Sequence, residues 1–281
     1  MFSSISFIGG GVMAEAMISG LLTDHIIAPE RITVSEPREK RRAELAARYG
    51  VNTTIANRES AQASDLVVLA IKPQALVRVL DELKGLFRPE QLVISIIAGG
   101  RLGTLCEGLA HQAIVRAMPN TPAQIGAGLT VWTATPAVTN TQRDNARAVF
   151  GALGKEVWVD EEKYLDMATA VSGTGPTYVF MVLEALIDAA VHLGFPRDLA
   201  HDIVIETMRG SILFAEKSGL HPAELRNMVT SPGGTSAEAI YQLEKGSLRT
   251  VLSKAVWAAY QKSRLLGETV GKAEPRRPID Q

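Results

Sequence analysis

Ser4-Ile5-Ser6-Phe7-Ile8-Gly9-Gly10-Gly11-Val12-Met13-Ala14-Glu15-Ala16 runs from β-branched and aromatic residues into three glycines and leaves as a helical pattern. Strand, tight turn and helix follow in that order. The glycines fit G-x-G-x-x-A: Gly9 permits the turn, Gly11 lets backbone approach a pyrophosphate without a Cβ, and Ala14 allows close helix-sheet packing. The helix start then aims unpaired N–H groups at the phosphates. Glycine triplets also make ordinary turns, so the reading depends on what surrounds them.

Downstream, Arg31-Ile32-Thr33-Val34-Ser35-Glu36 reads as a second strand ending in an acid, after a helix over Val12 to Leu22 and a turn around Pro29. Glu36 lies near the spacing at which a carboxylate accepts hydrogen bonds from the adenosine ribose of NAD. Arg38, Lys40, Arg41 and Arg42 leave two other readings open: a seat for a 2′-phosphate, or the solvated first turns of a helix from Glu39 to Tyr49. A strand from Val51 to Ile55, a turn at Asn57 and the apolar strand from Leu66 to Ile71 continue the alternation of a doubly wound, mostly parallel sheet. In such sheets ligands lie beyond the carboxyl ends of the strands, which directs attention to Lys72-Pro73-Gln74 and to Ala98-Gly99-Gly100, the latter after a strand from Leu92 to Ile97. Ile114 to Ala117 leads into Met118-Pro119-Asn120-Thr121-Pro122, a strand halted by two prolines, where Asn120 can both donate and accept. A strand from Leu129 to Thr133, a helix from Thr141 to Leu153 and a strand from Glu156 to Val159 complete a Rossmann-like domain over residues 1–161.

Beyond it the period changes from two to about 3.6. Tyr164 to Val171, Tyr178 to Leu193, Leu199 to Ser218, Ala223 to Val229, Ser236 to Lys245 and Leu248 to Val270 all read as helices, so residues 162–270 form an all-α domain. Tyr178 to Ile187 is apolar nearly all round, too apolar for a surface helix of a small monomeric bundle, and a partner subunit is expected to cover it. Residues 271–281 are charged and proline-bearing and are expected to be disordered.

The 281 residues are 46% hydrophobic and 21% charged with a net charge of −1, which gives no electrostatic bias toward nucleic acid or membrane. Cys106 is the one cysteine, which excludes an internal disulfide, and its neighbours Leu105 and Leu109 suggest a buried helix position. His25, His111, His192, His201 and His221 are scattered without ligand spacing, so no metal is expected. No basic leader or uninterrupted apolar run near 18 residues is seen, and a cytoplasmic location is expected. Serine-hydrolase elbows and phosphate-binding loops of the G-x-x-x-x-G-K-[ST] type are lacking.

Phe7-Ile8-Gly9-Gly10-Gly11-Val12-Met13-Ala14, Ala170-Val171-Ser172-Gly173-Thr174-Gly175-Pro176 and Val229-Thr230-Ser231-Pro232-Gly233-Gly234-Thr235-Ser236 together resemble the pyrroline-5-carboxylate reductases. Lys72-Pro73-Gln74 and Met118 to Pro122 match as well, so the resemblance covers the chain up to its tail. It implies a first domain that binds NADPH or NADH and a helical domain that forms an interlocked dimer, with the substrate imine reduced between them to proline. The implied cofactor contacts are Gly9, Gly10, Gly11, Val12, Met13, Ala14, Ser35, Glu36, Arg38, Asn57, Ile71, Lys72, Pro73, Ala98 and Asn120. The implied substrate contacts are Glu162, Ser231, Gly233, Gly234, Thr235 and Ser236, with the Ser236 hydroxyl on the ring nitrogen as the catalytic contact. Two departures stand out: the family's glycine motif usually continues with asparagine where this chain has Val12, and its loop commonly ends in two threonines where this chain has Thr235 and Ser236.

The substrate loop can also be argued from its residues. Ser231 to Ser236 precedes a helix, so its backbone N–H groups suit a carboxylate. A helix cap with Ser or Thr at the N-cap is the other reading, and both can hold at once. A β-hydroxyacid dehydrogenase has a similar plan but needs a lysine shortly after the second glycine cluster to take the alcohol proton. Here Gly173 to Gly175 is followed by Pro176, Thr177, Tyr178, Val179 and Phe180. A nicotinamide sensor without turnover would have no need of a second small-anion loop.

Overall fold

The computed structural model describes residues 2–269. Contacts divide the chain into two compact units: residues up to Thr174 together with those from Ala259 onward, and Gly175–Ala258. The residues 271–281, expected to be disordered, lie outside the described ones.

The first unit is built on one eight-stranded sheet. Its strands are β1 (Ile5–Ile8), β2 (Ile32–Ser35), β3 (Asn52–Thr54), β4 (Leu66–Leu69), β5 (Leu92–Ser95), β6 (Ile114–Met118), β7 (Gly128–Ala134) and β8 (Gly154–Trp158). They lie in the order β3-β2-β1-β4-β5-β6-β7-β8, and every pair is parallel except β6 with β7. The order reverses between β2-β1 and β1-β4, which opens the crevice where a ligand of a doubly wound sheet binds. Strand β4 shows why the sequence reads as a continuous apolar run: Leu66 and Val68 pack into one core layer, Val67 and Leu69 into the other. Helices on both faces demand that pattern.

The helices of this unit are α1 (Val12–Thr23), α2 (Glu39–Tyr49), α3 (Asn57–Ala63), α4 (Leu76–Leu83), α5 (Leu102–Leu109), α6 (Asn140–Gly151) and α7 (Lys163–Ala168). Helix α1 lies so close to the segment after α6 that a Cβ on Gly20 would stand 2.3 Å from the Ala152 carbonyl oxygen. Asn57, read as a turn, instead opens α3. Helix α5 carries Cys106, which is half-buried where a buried position was expected; burial, then the charge of Glu162, pushes its thiol up from the usual value. Helix α7 packs with the sheet, so this compact unit extends past the boundary expected at residue 161.

The second unit holds α8 (Gly175–His192), α9 (Arg197–Ser218), α10 (Pro222–Met228), α11 (Thr235–Lys245) and the first turns of α12 (Leu248–Thr269). Within residues 175–258 only Ala200 and Val204 are buried. Phe180, Met181, Phe214 and Trp257 are each at least half exposed. The continuous helical run Lys163–His192 is long and apolar enough, by length and composition alone, to cross a membrane, although it carries Glu184 and Asp188. A helical layer with two buried residues cannot offset the conformational entropy of ordering its chain, so its apolar faces need a cover.

Candidate active site

The three glycines do different jobs. Gly9 has φ +101°, and a Cβ there would stand 2.7 Å from the Ala70 carbonyl oxygen. Gly10 is closed by the Leu45 side chain, 2.9 Å from where its Cβ would be. At Gly11 a Cβ would meet nothing within 4 Å. Backbone conformation and packing therefore demand the first and side chains crowd the second, while the third leaves open space at the start of α1. Gly11 is the N-cap of α1 and has no side chain to satisfy the first-turn N–H groups. An anion fits there, held by backbone donors and the helix dipole, while Ala14 is buried where the helix meets the sheet. The departure residue Val12 is 59% exposed, so its side chain has no packing role.

Glu36, at the end of β2, is buried and turned back toward this loop. It accepts the Gly10 N–H at 3.0 Å, the Arg38 N–H at 3.1 Å and Arg38 Nε at 2.8 Å. Burial alone would raise its pKa; the Arg38 guanidinium and the two backbone donors outweigh that and hold the carboxyl below its ordinary value. Arg38 is exposed. Arg41 bonds the Gly10 carbonyl and pairs with Glu15, and Arg42 bonds the carbonyls of Glu36 and Pro37, so much of the basic cluster already buttresses the turn.

Other candidates line the carboxyl ends of the strands. Buried Ser35 donates its hydroxyl to Asn57 Oδ1 at 2.7 Å, and Asn57 Nδ2 donates to Glu82 at 2.9 Å. Ile71 is half-buried, Lys72 is exposed and Pro73 opens a 3-10 turn, all just past β4. Ala98 lies past β5, beside Gly99 at φ +76°. Asn120 is more occupied than its sequence suggests. Its Oδ1 accepts the Leu129 N–H at 2.9 Å and its Nδ2 donates to the Ser172 carbonyl at 3.2 Å, so it joins the loop after β6 to β7 and to the turn after α7.

Glu162 also has protein partners. Its Oε1 accepts the Leu102 N–H at 2.7 Å and Arg116 Nη1 at 2.8 Å. Arg116, 2% exposed on β6, donates through Nη2 to Asp166 at 2.8 Å, and Ser263 bonds the same carboxylate oxygen at 3.3 Å. Sequence reading missed Arg116, Asp166 and Ser263. The findable signal was an arginine inside the apolar strand Ile114-Val115-Arg116-Ala117-Met118, which needs a buried counter-charge, and two carboxylates four apart at Glu162 and Asp166, on one helical face.

The glycine-rich stretch after α7 contains a π-helical turn, Thr169–Gly173, closed by the Thr174 N–H and hydroxyl, both 2.8 Å from the Thr169 carbonyl. Such turns are frequent at functional sites. In the second unit Ser231-Pro232-Gly233-Gly234 makes a turn: the Gly234 N–H donates to the Ser231 carbonyl at 3.0 Å, with Gly233 at φ +70°. Pro then Gly at its centre is the type II signature. Gly234 is the N-cap of α11 and supplies no side-chain cap, which corrects the reading of Ser or Thr as that cap. Thr235 and Ser236 open the helix, and neither hydroxyl is bonded to the protein among the described residues. The start of α11 thus presents uncapped N–H groups beside a free hydroxyl, an arrangement suited to an anion with a neighbouring hydrogen-bonding atom.

A doubly wound sheet with a Cβ-free anion cradle at its switch point, followed by a coreless helical layer, defines the class of two-domain nicotinamide-dependent oxidoreductases. Comparison narrows the class. Residues 162–266 match the model for pyrroline-5-carboxylate reductase dimerisation, and residues 4–99 that for NADP oxidoreductase, coenzyme F420-dependent. The chain is 43% identical to the pyrroline-5-carboxylate reductase of Synechocystis over 95% of its length and all of that protein, and 36% identical to that of Escherichia coli over 96% and 100%. Its fold matches the crystal structure of Plasmodium falciparum pyrroline carboxylate reductase with NADP bound, with TM-score 0.87 and 33% identity over 94% of this chain and 98% of that one. The chain belongs to the pyrroline-5-carboxylate reductase family.

Proposed function

We propose that this protein reduces 1-pyrroline-5-carboxylate to L-proline, the last step of proline biosynthesis, with NADPH or NADH as hydride donor. The observation that carries the reading is the pairing, in one chain of this family, of the open space at Gly11 with the uncapped start of α11. The nicotinamide, when bound, supplies the hydride. Gly9 and Gly10 shape the turn that seats the pyrophosphate, their own N–H groups being held by Ser35 and Glu36, and Gly11, Val12, Met13 and Ala14 meet it at the start of α1; Ser35, Glu36, Arg38 and Asn57 border the adenosine; Ile71, Lys72, Pro73, Ala98 and Asn120 border the rest of the cofactor. Ser231, Gly233 and Thr235 hold the substrate carboxylate by backbone donors, Gly234 borders it as the turn residue whose own N–H closes on the Ser231 carbonyl, and the Ser236 hydroxyl bonds the ring nitrogen as it changes from imine to amine. Glu162 acts near the substrate through the elements it ties together. No strong general acid is needed, because the imine can arrive protonated.

A second copy of the chain covers the apolar faces of α8 to α12, burying on the order of 2,000 Å² or more as obligate pairs do. The same cover accounts for the apolar run Lys163–His192 without a membrane, and the enzyme works in the cytoplasm with no nucleic-acid partner. Mixing the protein with the imine and either reduced nicotinamide is expected to consume the cofactor and yield L-proline, from a species that sediments as a dimer or a larger assembly of dimers. Folded protein without turnover on either cofactor would overturn the activity, and an active monomer would overturn the assembly.

A further inference from the structure

On the dinucleotide reading, a cofactor bound at the switch point between β1 and β4 would have its adenosine on the β2 side and its nicotinamide on the β4–β5 side. The loop Ala98-Gly99-Gly100-Arg101 follows β5 and is held at both ends by groups remote in sequence. At one end α5 begins without a side-chain cap of its own, and Glu162 supplies the missing acceptor to Leu102 N–H. At the other, Gly99 meets the last turns of α12 so closely that a Cβ would stand 2.8 Å from the Leu266 carbonyl carbon. Those last turns are fixed by Ser263 on Asp166. One buried guanidinium joins the two anchors, since Arg116 bonds Glu162 through Nη1 and Asp166 through Nη2, each at 2.8 Å.

We infer that Arg116 is a positioning residue that sets the Ala98–Arg101 loop against the nicotinamide half of the cofactor by bridging Glu162 and Asp166. The inference rests on the dinucleotide reading above. A planar fork reaches both carboxylates at once; a lysine ammonium is a single point and cannot reproduce that bridge. The adenosine half is bounded by β1, β2 and Glu36, none of which the bridge touches.

The test compares NAD+ with ADP-ribose, which lacks the nicotinamide, by calorimetry on the full-length protein. Arg116→Lys is expected to weaken NAD+ about tenfold, the value of roughly one charge-assisted hydrogen bond, and to leave ADP-ribose within about twofold of the wild-type protein. Equal weakening of both ligands, or no change in either, would overturn the inference. Should Arg116→Lys fail to fold, Ser263→Ala removes only the α12 end of the bridge, and the same split of about threefold is expected; no split there overturns the inference equally. Wild-type protein that binds neither ligand would instead refute the dinucleotide reading.

Discussion

Glu36 accepts the Gly10 N–H at 3.0 Å, so the acid at the end of β2 braces the glycine turn between β1 and α1. Its charge is shared with Arg38 at 2.8 Å, which would weaken its repulsion of a 2′-phosphate at this position. Glu36→Ser frees the Arg38 guanidinium for that phosphate. The ratio of kcat/KM for NADPH over NADH is expected to rise, and an unchanged ratio would mean that neither side chain faces the ribose. Leaving the Gly10 N–H without its buried acceptor should also cost about 1–3 kcal/mol of stability.

Gly11→Val should abolish cofactor binding with little change in melting temperature. The side chain enters space that no protein atom uses within 4 Å of the Cβ, so it competes with the pyrophosphate and not with the core. Normal NAD(P)H binding by this variant would place the cofactor elsewhere. Gly9→Val is the contrasting control, since its φ of +101° and the Ala70 carbonyl forbid a side chain and the fold itself should suffer.

Ser236→Ala should lower kcat and kcat/KM together while leaving cofactor affinity intact. A hydrogen bond that strengthens as the nitrogen becomes an amine belongs to the transition state. At about 0.5–1.5 kcal/mol, or more when a partner is charged, its loss gives roughly a threefold to hundredfold reduction. Because Gly234, and not Ser236, caps α11, the melting temperature should hardly move. A destabilised variant with unchanged kinetics would remove Ser236 from the site.

His111 should make stability depend on pH. Burial, its largest influence, lowers the pKa below the ordinary 6.5, against the opposing hydrogen bonds to Gln91 and Ala113. The unfolded chain therefore binds more protons than the folded one between the two values. His111's contribution is complete above about pH 6.5 and is lost as pH falls through the folded pKa. His111→Gln should flatten the slope of melting temperature against pH in that window, whereas parallel slopes would show that another group governs it.

How much of this was legible followed the range of the interactions. The strand, glycine turn and helix at Ile5 to Ala16 were readable because a turn conformation and a period-two core are local requirements, and the loss of strand signals after Glu156 to Val159 marked the helical half for the same reason. Asn57 read as a turn because asparagine favours one, yet its amide spans Ser35 and Glu82 and it begins α3. The Arg116 bridge was not legible because its partners lie 46, 50 and, for the Ser263 contact on Asp166, 97 positions apart. Cys106 looked buried from Leu105 and Leu109, and it does pack against the core layer they belong to, but at its margin and only partly covered.

The most direct test of the account follows the hydride itself. Reduced nicotinamide deuterated on the transferring face, given to the protein with 1-pyrroline-5-carboxylate, should yield L-proline carrying one deuterium at C5 for each cofactor oxidised. Proline without that label, or cofactor oxidation without proline, would contradict direct hydride transfer to the imine carbon.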